Sequence, residues 1–528
     1  MKVRLFTTAG ILGMALAATS VSLGTFVGCG AGVGTSNGGA TNDFLATGRT
    51  LSHFSAIQVD PRSEDSAGPQ FVTAEDIDGD GLLDLVSAWN QSQPVQIHFQ
   101  RRSAANVIRF ETITLAGNIS VVRVAGLSVA DFDGDGARDI AVLVKQSGVA
   151  GAGCLQPELP AADGYAGLIL IYLAPVNAGD MNKALAWRET SIGSSLLAGQ
   201  TKAIPGPPEE EGYTSLCIGD LDMDGDMDLI TAWIGACGGD PEVLIFTNGG
   251  AGAVRDGTWT VAAIPDSFRK DPLVGDEPGL DPIRVKDVAL GDVDNDGDLD
   301  VIATYPDAGS LNVRWYRNPT LDIADAYHES TTQWRTGMVG QVAPKSDFQD
   351  LGGADILRVT DVDGDGLMDV VVRSTGGRLV QWLKGPGFQA TTAPLPNIPW
   401  RVYTLAEFIE RTPEGLAVGD LNGDGQPEAI VSAAGGLLFL DSLGAPTVYD
   451  QWIANLIVDD NPPGSPGNAP PTTDPNVLPQ EIAGTTFINS ILVVDVDGDG
   501  ANDIVATFDR SGLSGLSNDA LVWFRNTR

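Results

Sequence analysis

Basic side chains are scarce in this chain: 31 Lys and Arg stand against 69 Asp and Glu in 528 residues, a formal net charge of −38. Nucleic acid and other polyanions need a positive footprint, and the densest basic cluster is the pair Arg101 and Arg102, so partners of that class are excluded. Histidine is nearly absent, with His53, His98 and His328 scattered along the chain. Catalysis therefore has little to stand on, and there is no nucleophile elbow, phosphate loop or histidine-rich metal motif. Charged residues make up only 19% while hydrophobic residues reach 43%, which excludes a disordered acidic chain and lets the sequence bury a core. What is plentiful is punctuation. The 65 Gly and 31 Pro call for many turns, hence many short strands rather than long helices.

The amino terminus has the layout of an export signal. Two cations in Met1 to Arg4 precede an uncharged apolar stretch, Leu5 to Val27, ending at Gly28 and Cys29. The stretch is just long enough to span a membrane, but its internal Gly, Ser and Thr weaken that reading. Phe26, Val27, Gly28 and Cys29 resemble the lipobox of bacterial lipoproteins, which implies lipidation at Cys29; ordinary secretion is the alternative. The expected organisation is a signal peptide over 1–28, a flexible tether over 29–50 rich in small and polar residues, and one folded domain over 51–528. Export would place the chain where calcium is abundant and disulfides persist, as a cell-envelope lipoprotein or a secreted protein.

One nine-residue motif occurs seven times, at intervals of 55 to 89 residues. Its carboxylates stand at relative positions 1, 3, 5 and 9. The sets are Asp76, Asp78, Asp80 and Asp84; Asp131, Asp133, Asp135 and Asp139; Asp220, Asp222, Asp224 and Asp228; Asp292, Asp294, Asp296 and Asp300; Asp361, Asp363, Asp365 and Asp369; Asp420, Asn422, Asp424 and Glu428; Asp495, Asp497, Asp499 and Asp503. With a backbone carbonyl at position 7, such a set wraps an oxygen cage around a cation of calcium size, so up to seven structural Ca2+ are expected. Position 6 is Gly in every copy, from Gly81 to Gly500, as a sharp turn requires. The third and fourth copies add Asp226 and Asp298 at position 7, and the sixth departs most. An EF-hand needs Glu at position 12; here that position holds Ser87, Val142, Thr231, Ala303, Val372, Val431 and Ala506. The seven copies hold 29 of the 69 acidic residues, so seven divalent ions would bring −38 to −24.

Strand-like runs flank each loop, such as Leu416-Ala-Val-Gly before and Asp369-Val-Val-Val after. A third run follows, and a fourth often opens at tryptophan: Trp187, Trp259, Trp334, Trp400 and Trp452. Each unit reads as a four-stranded antiparallel sheet with the acidic loop in its first hairpin. On the motif Asp-x-Asp-Gly-Asp-Gly-x-x-Asp the chain resembles the FG-GAP and VCBS repeat family, whose members include the head of integrin α subunits. The resemblance implies an all-β, seven-bladed β-propeller with a role in binding or adhesion. The last copy stops after its third strand, and Phe54 to Val59 has the right length to complete it and close the ring.

The longest insertions, over 148–165, 198–212, 266–284 and 459–479, fall on the face opposite the acidic loops, which is where a protein or glycan ligand is expected. The fold implies a monomer that meets a membrane only through its lipid anchor. A polysaccharide-processing enzyme on the same scaffold and a purely structural envelope component are the alternatives. The ten tryptophans recur at matched places, which indicates packing rather than a sugar-stacking platform. With Cys29 assigned to lipid, Cys154 and Cys237 share equivalent turns of neighbouring units and form the preferred disulfide, leaving Cys217 as a buried free thiol.

Overall fold

The computed structural model describes residues 50–59, 68–90, 94–115, 121–149, 164–192, 212–234, 242–264, 285–306, 312–320, 334–340, 353–385, 400–408, 413–433, 436–442, 452–459, 488–508 and 520–528. The expected signal segment, the tether up to residue 49, Cys29, the Cys154 and Cys237 pair and all but the ends of the four long loops lie outside these residues.

Strand β1 (Thr50–Gln58) comes first. Blade one holds β2 (Pro69–Glu75), β3 (Asp84–Trp89), β4 (Val95–Arg102) and β5 (Ile108–Thr114). Blade two holds β6 (Val121–Ala130), β7 (Asp139–Val149), β8 (Gly164–Leu173) and β9 (Arg188–Ile192). Blade three holds β10 (Gly212–Gly219), β11 (Asp228–Ile234), β12 (Glu242–Thr247), a short helix α1 (Ala251–Asp256) and β13 (Thr260–Ala263). Blade four holds β14 (Val288–Gly291), β15 (Asp300–Thr304), β16 (Val313–Arg317) and β17 (Arg335–Gly340). Blade five holds β18 (Ile356–Thr360), β19 (Asp369–Ser374), β20 (Leu379–Lys384) and β21 (Arg401–Glu407). Blade six holds β22 (Pro413–Gly419), β23 (Glu428–Ala433), β24 (Gly436–Asp441) and β25 (Ile453–Asp459), and blade seven holds β26 (Ile491–Val494), β27 (Asp503–Phe508) and β28 (Ala520–Asn526).

Within each blade the strands pair antiparallel in chain order, and the inner strand of each packs on the inner strand of the next around a ring of seven. The second strands are buried from end to end, as in Asp84–Trp89, Asp369–Ser374 and Asp503–Phe508. That explains their unbroken apolar sequence: both faces are covered by neighbouring blades, so period-two alternation has nothing to select. The core is accordingly divided into seven seams. Val86, Ile97 and Phe99 of blade one meet Val142, Val144 and Leu170 of blade two, and Val72 and Leu85 meet Val505 and Trp523 where blade seven returns to blade one. Near the axis the inner strands approach too closely for some side chains. A Cβ on Gly291 would lie 2.6 Å from Val359 Cγ1, and one on Gly419 2.7 Å from Val493 Cγ1.

Each of the five tryptophans expected at the fourth strand stands one residue before it, ahead of Arg188, Thr260, Arg335, Arg401 and Ile453. Eight of the nine tryptophans whose side chains are described are buried, so they pack the seams.

Closure of the ring follows the expectation and exceeds it. Strand β1 pairs antiparallel with β28, from Phe54 opposite Asn526 to Gln58 opposite Val522, and becomes the outer strand of blade seven. Its first residues also pair in parallel with β25, Thr50 opposite Leu456 and Leu51 opposite Ile457, which joins blades six and seven into one eight-stranded sheet. Phe54 is fully buried in the seam between those blades.

Candidate metal centres

All seven acidic motifs form the hairpin turn between the first and second strands, so they share one face of the ring. The turn needs left-handed backbone twice. Position 6 has φ between +83° and +101° and is always Gly, as the sequence requires. Position 4 has φ between +59° and +76°; it is Gly in five loops, Asn295 in loop four and Met223 in loop three.

The carboxylates divide their work. Position 1 holds the loop together: Asp76 accepts from Asp80 N at 3.1 Å and Gly81 N at 2.9 Å, and Asp495 accepts from Asp499 N and Gly500 N at 3.1 and 2.8 Å. Position 9 ties the loop to the blade. One oxygen of Asp84 accepts from Ile77 N at 3.0 Å and the other from Gln100 N at 2.8 Å, beyond the third strand's core. Asp139, Asp300 and Asp503 repeat both bonds, to Phe132 and Ala174, Val293 and Asn318, Val496 and Asn526. In loop six Glu428 still reaches Leu421 N at 2.8 Å, but its second oxygen takes the Asn422 amide at 2.6 Å instead of the third strand.

Ligand oxygens of positions 1, 3 and 9 come within 4.8 Å of one another in loops one to four, as do those of positions 1, 3 and 5 in loop five. This crowding costs electrostatic energy. Burial pushes Asp84, Asp139 and Asp503 up to about 7 and Glu428 up to about 8, with neighbouring carboxylates adding to the rise and backbone donors opposing it. Oδ1 of the position-3 residues Asp78, Asp133 and Asp363 is buried and accepts no hydrogen bond. A buried carboxylate oxygen with no donor is costly in water-excluded protein, and a hard cation satisfies it. The donor set therefore fits a divalent ion, which the residues at positions 1, 3, 5 and 9 would hold.

Two groups of residues at these loops escape a reading of the motif alone. A side-chain amide just past the third strand spans adjacent blades: Gln100 Nε2 donates to Leu83 O of its own loop at 2.9 Å and to Val496 O of blade seven at 2.8 Å. Asn248, Asn318 and Asn526 do the same toward Phe132, Leu221 and Leu421 of the preceding blade. A basic side chain also faces the outer oxygens of five loops. Arg101 pairs with Asp78 and Asp80 at 2.7 and 3.1 Å, and Arg525 with Asp497 at 2.5 Å. Arg317 pairs with Asp294 and Asp296, Lys384 with Asp363 and Asp365, and Arg255 of α1 crosses from blade three to Asp133 of blade two. The repeated Arg-Asn pairs, Arg317-Asn318 and Arg525-Asn526, were the available signal for both groups.

A family model described as FG-GAP-like repeat matches residues 53–142 and 361–431, covering loops one, two, five and six. The chain carries FG-GAP-like repeats over those residues, within a seven-bladed β-propeller. No curated protein sequence matches this chain. Similar solved structures include BBS1N in complex with ARL6DN, soaked with lead, at 11% identity and TM-score 0.43, covering 90% of this chain and 98% of that one. An Agrocybe aegerita lectin described as recognising non-reducing terminal N-acetylglucosamine is 16% identical with TM-score 0.41, covering 90% and 94%. Likeness at that level carries no argument about what the propeller does.

Elsewhere in the propeller two further sequence candidates, His98 and Cys217, have structural partners. His98 is fully buried, with Nε2 2.7 Å from Ser87 Oγ and Nδ1 2.9 Å from Thr112 Oγ1, while Trp89 Nε1 donates to Ser87 Oγ at 2.8 Å. Burial lowers its pKa to about 3, so the ring is neutral and the row ties three strands of blade one together. Cys217 is a free thiol, partly buried, whose Sγ donates to Val288 O at 2.8 Å. Among the described residues no helix is long and apolar enough to cross a membrane.

Proposed function

We propose that this propeller is an exported, calcium-stabilised binding module that presents loops from a rigid ring to a protein or glycan. The observation that carries the reading is the repeated cage: seven turns of one geometry on one face, with position-3 oxygens of loops one, two and five buried and without a donor. Repetition of that kind suits a scaffold, since a catalytic ion is ordinarily unique to one site. Calcium neutralises clustered carboxylates and pins each hairpin, which leaves the opposite face to carry variable loops. The signal-like amino terminus and the calcium supply outside the cell support export.

The test has two arms. Calcium added to chelated protein should raise the melting temperature by more than 10 °C, by linkage, with magnesium far less effective. An unchanged melt refutes the calcium reading. Binding to a glycan array or to envelope proteins, without new reducing or unsaturated ends in acidic polysaccharides, supports the binding module; cleavage assigns the polysaccharide-processing alternative instead.

A further inference from the structure

The five basic side chains leave the carboxylates of two loops without one, and the two differ: at loop six Arg528 Nη1 reaches the Asn422 carbonyl at 3.0 Å, not a carboxylate. Loop six carries only three carboxylates, and the Asn422 amide donates to both Asp424 and Glu428. Loop three carries five, Asp220, Asp222, Asp224, Asp226 and Asp228, and among the described residues no Lys or Arg pairs with any of them. Both Asp222 and Asp224 are exposed, whereas the position-3 carboxylates of loops one, two, four, five and seven are shielded. Loop three also places Met223 at φ +61°, where five other loops have Gly and loop four has Asn, and the side chain stands 49% exposed. A left-handed Met costs roughly 1 kcal/mol more than Gly.

These features act in one direction. In the five paired loops a guanidinium or ammonium holds the outer oxygens of positions 3 or 5 and offsets their mutual repulsion whether or not an ion sits inside. Loop three matches loop four's five carboxylates and has a strained turn, but among the described residues no basic side chain neutralises it. We propose that Arg101, Arg255, Arg317, Lys384 and Arg525 are positioning residues that keep their loops folded without metal, and that loop three is the calcium-controlled element of the ring. This rests on the reading that the loops hold calcium. A consequence for the paired loops is that the basic residue competes with the ion, since both draw on the same carboxylates.

Amide hydrogen exchange read by mass spectrometry on the full chain tests this, with and without chelator. Chelation should speed exchange at least about tenfold in peptides covering 219–228, and change those of loops one, two, four, five and seven much less. Arg317→Met should make loop four behave like loop three under chelator, while lowering the free calcium at which that loop becomes protected by about tenfold. Lys384→Met gives the same readout at loop five should the first variant fold poorly. Equal acceleration at all seven loops, or variants whose loops stay protected under chelator, overturns the inference while leaving calcium binding intact. No response to calcium at any loop overturns both.

Discussion

Replacing Asn248 by Leu keeps the branched outline of a side chain that is 1% exposed and removes one amide that serves two blades. Its Nδ2 donates to Phe132 O of blade two at 2.8 Å and to Met227 O of its own loop at 3.2 Å. Each bond contributes about 1 kcal/mol, and a buried carbonyl left without a donor costs about 1–3 kcal/mol, so the substitution should destabilise by about 2–4 kcal/mol. That is a large share of the roughly 5–15 kcal/mol available to a folded protein. Equilibrium urea unfolding in saturating calcium measures it, as a lower midpoint at unchanged slope. Asn318→Leu supplies an internal comparison. There the carbonyl of the preceding blade, Leu221 O, also accepts from Thr320 Oγ1 at 3.2 Å and keeps a donor, so the cost should be smaller, about 1–2 kcal/mol. The reasoning is refuted if Asn248→Leu costs under about 0.5 kcal/mol, the range of an ordinary surface change, or if Asn318→Leu costs more.

Phe54→Ala should lose about 3–5 kcal/mol, read as a lower thermal midpoint, because the ring is fully buried at the closing seam. Burial raises Glu414 to about 7, against the opposing effects of Ile488 N and Arg373, so folding takes up a proton there. Its stabilising contribution is complete below the ordinary Glu pKa and is lost as pH rises through about 7. Glu414→Gln in saturating calcium should therefore gain up to about 3 kcal/mol over wild type between pH 4.5 and 8; a constant difference rejects this. Cys217, whose thiol burial pushes up to about 12, should react with a thiol reagent at pH 8 only after unfolding, and labelling of the native protein would contradict the placement.

The repeat made the fold legible because one local constraint recurs: Gly at position 6 and a carboxylate at position 9 fix a turn and its attachment within nine residues. The same holds for the tryptophans, whose place before the outer strand is a matter of local register. The pairing of β1 with β28 could be anticipated because a missing strand and a spare one must meet. Its second pairing with β25 could not, since which edge a strand end meets depends on how the closed ring positions two blades. The amide bridges were hidden for a related reason. Gln100 and Val496 are 396 residues apart, and nothing near Gln100 announces an acceptor there. Arg317 and Arg525 lie in a repeated Arg-Asn pair at the third strand's end, but Arg255 reaches blade two from a helix that, among the described residues, only blade three has.

Strand β1 has a mechanical consequence. Its first residues lie along the outer strand of blade six and its last along the third strand of blade seven. Tension applied through the chain ahead of Thr50 runs parallel to both ladders, so it shears their hydrogen bonds together instead of peeling them one at a time. The pull is divided between two blades at the joint where a closed ring would otherwise tear.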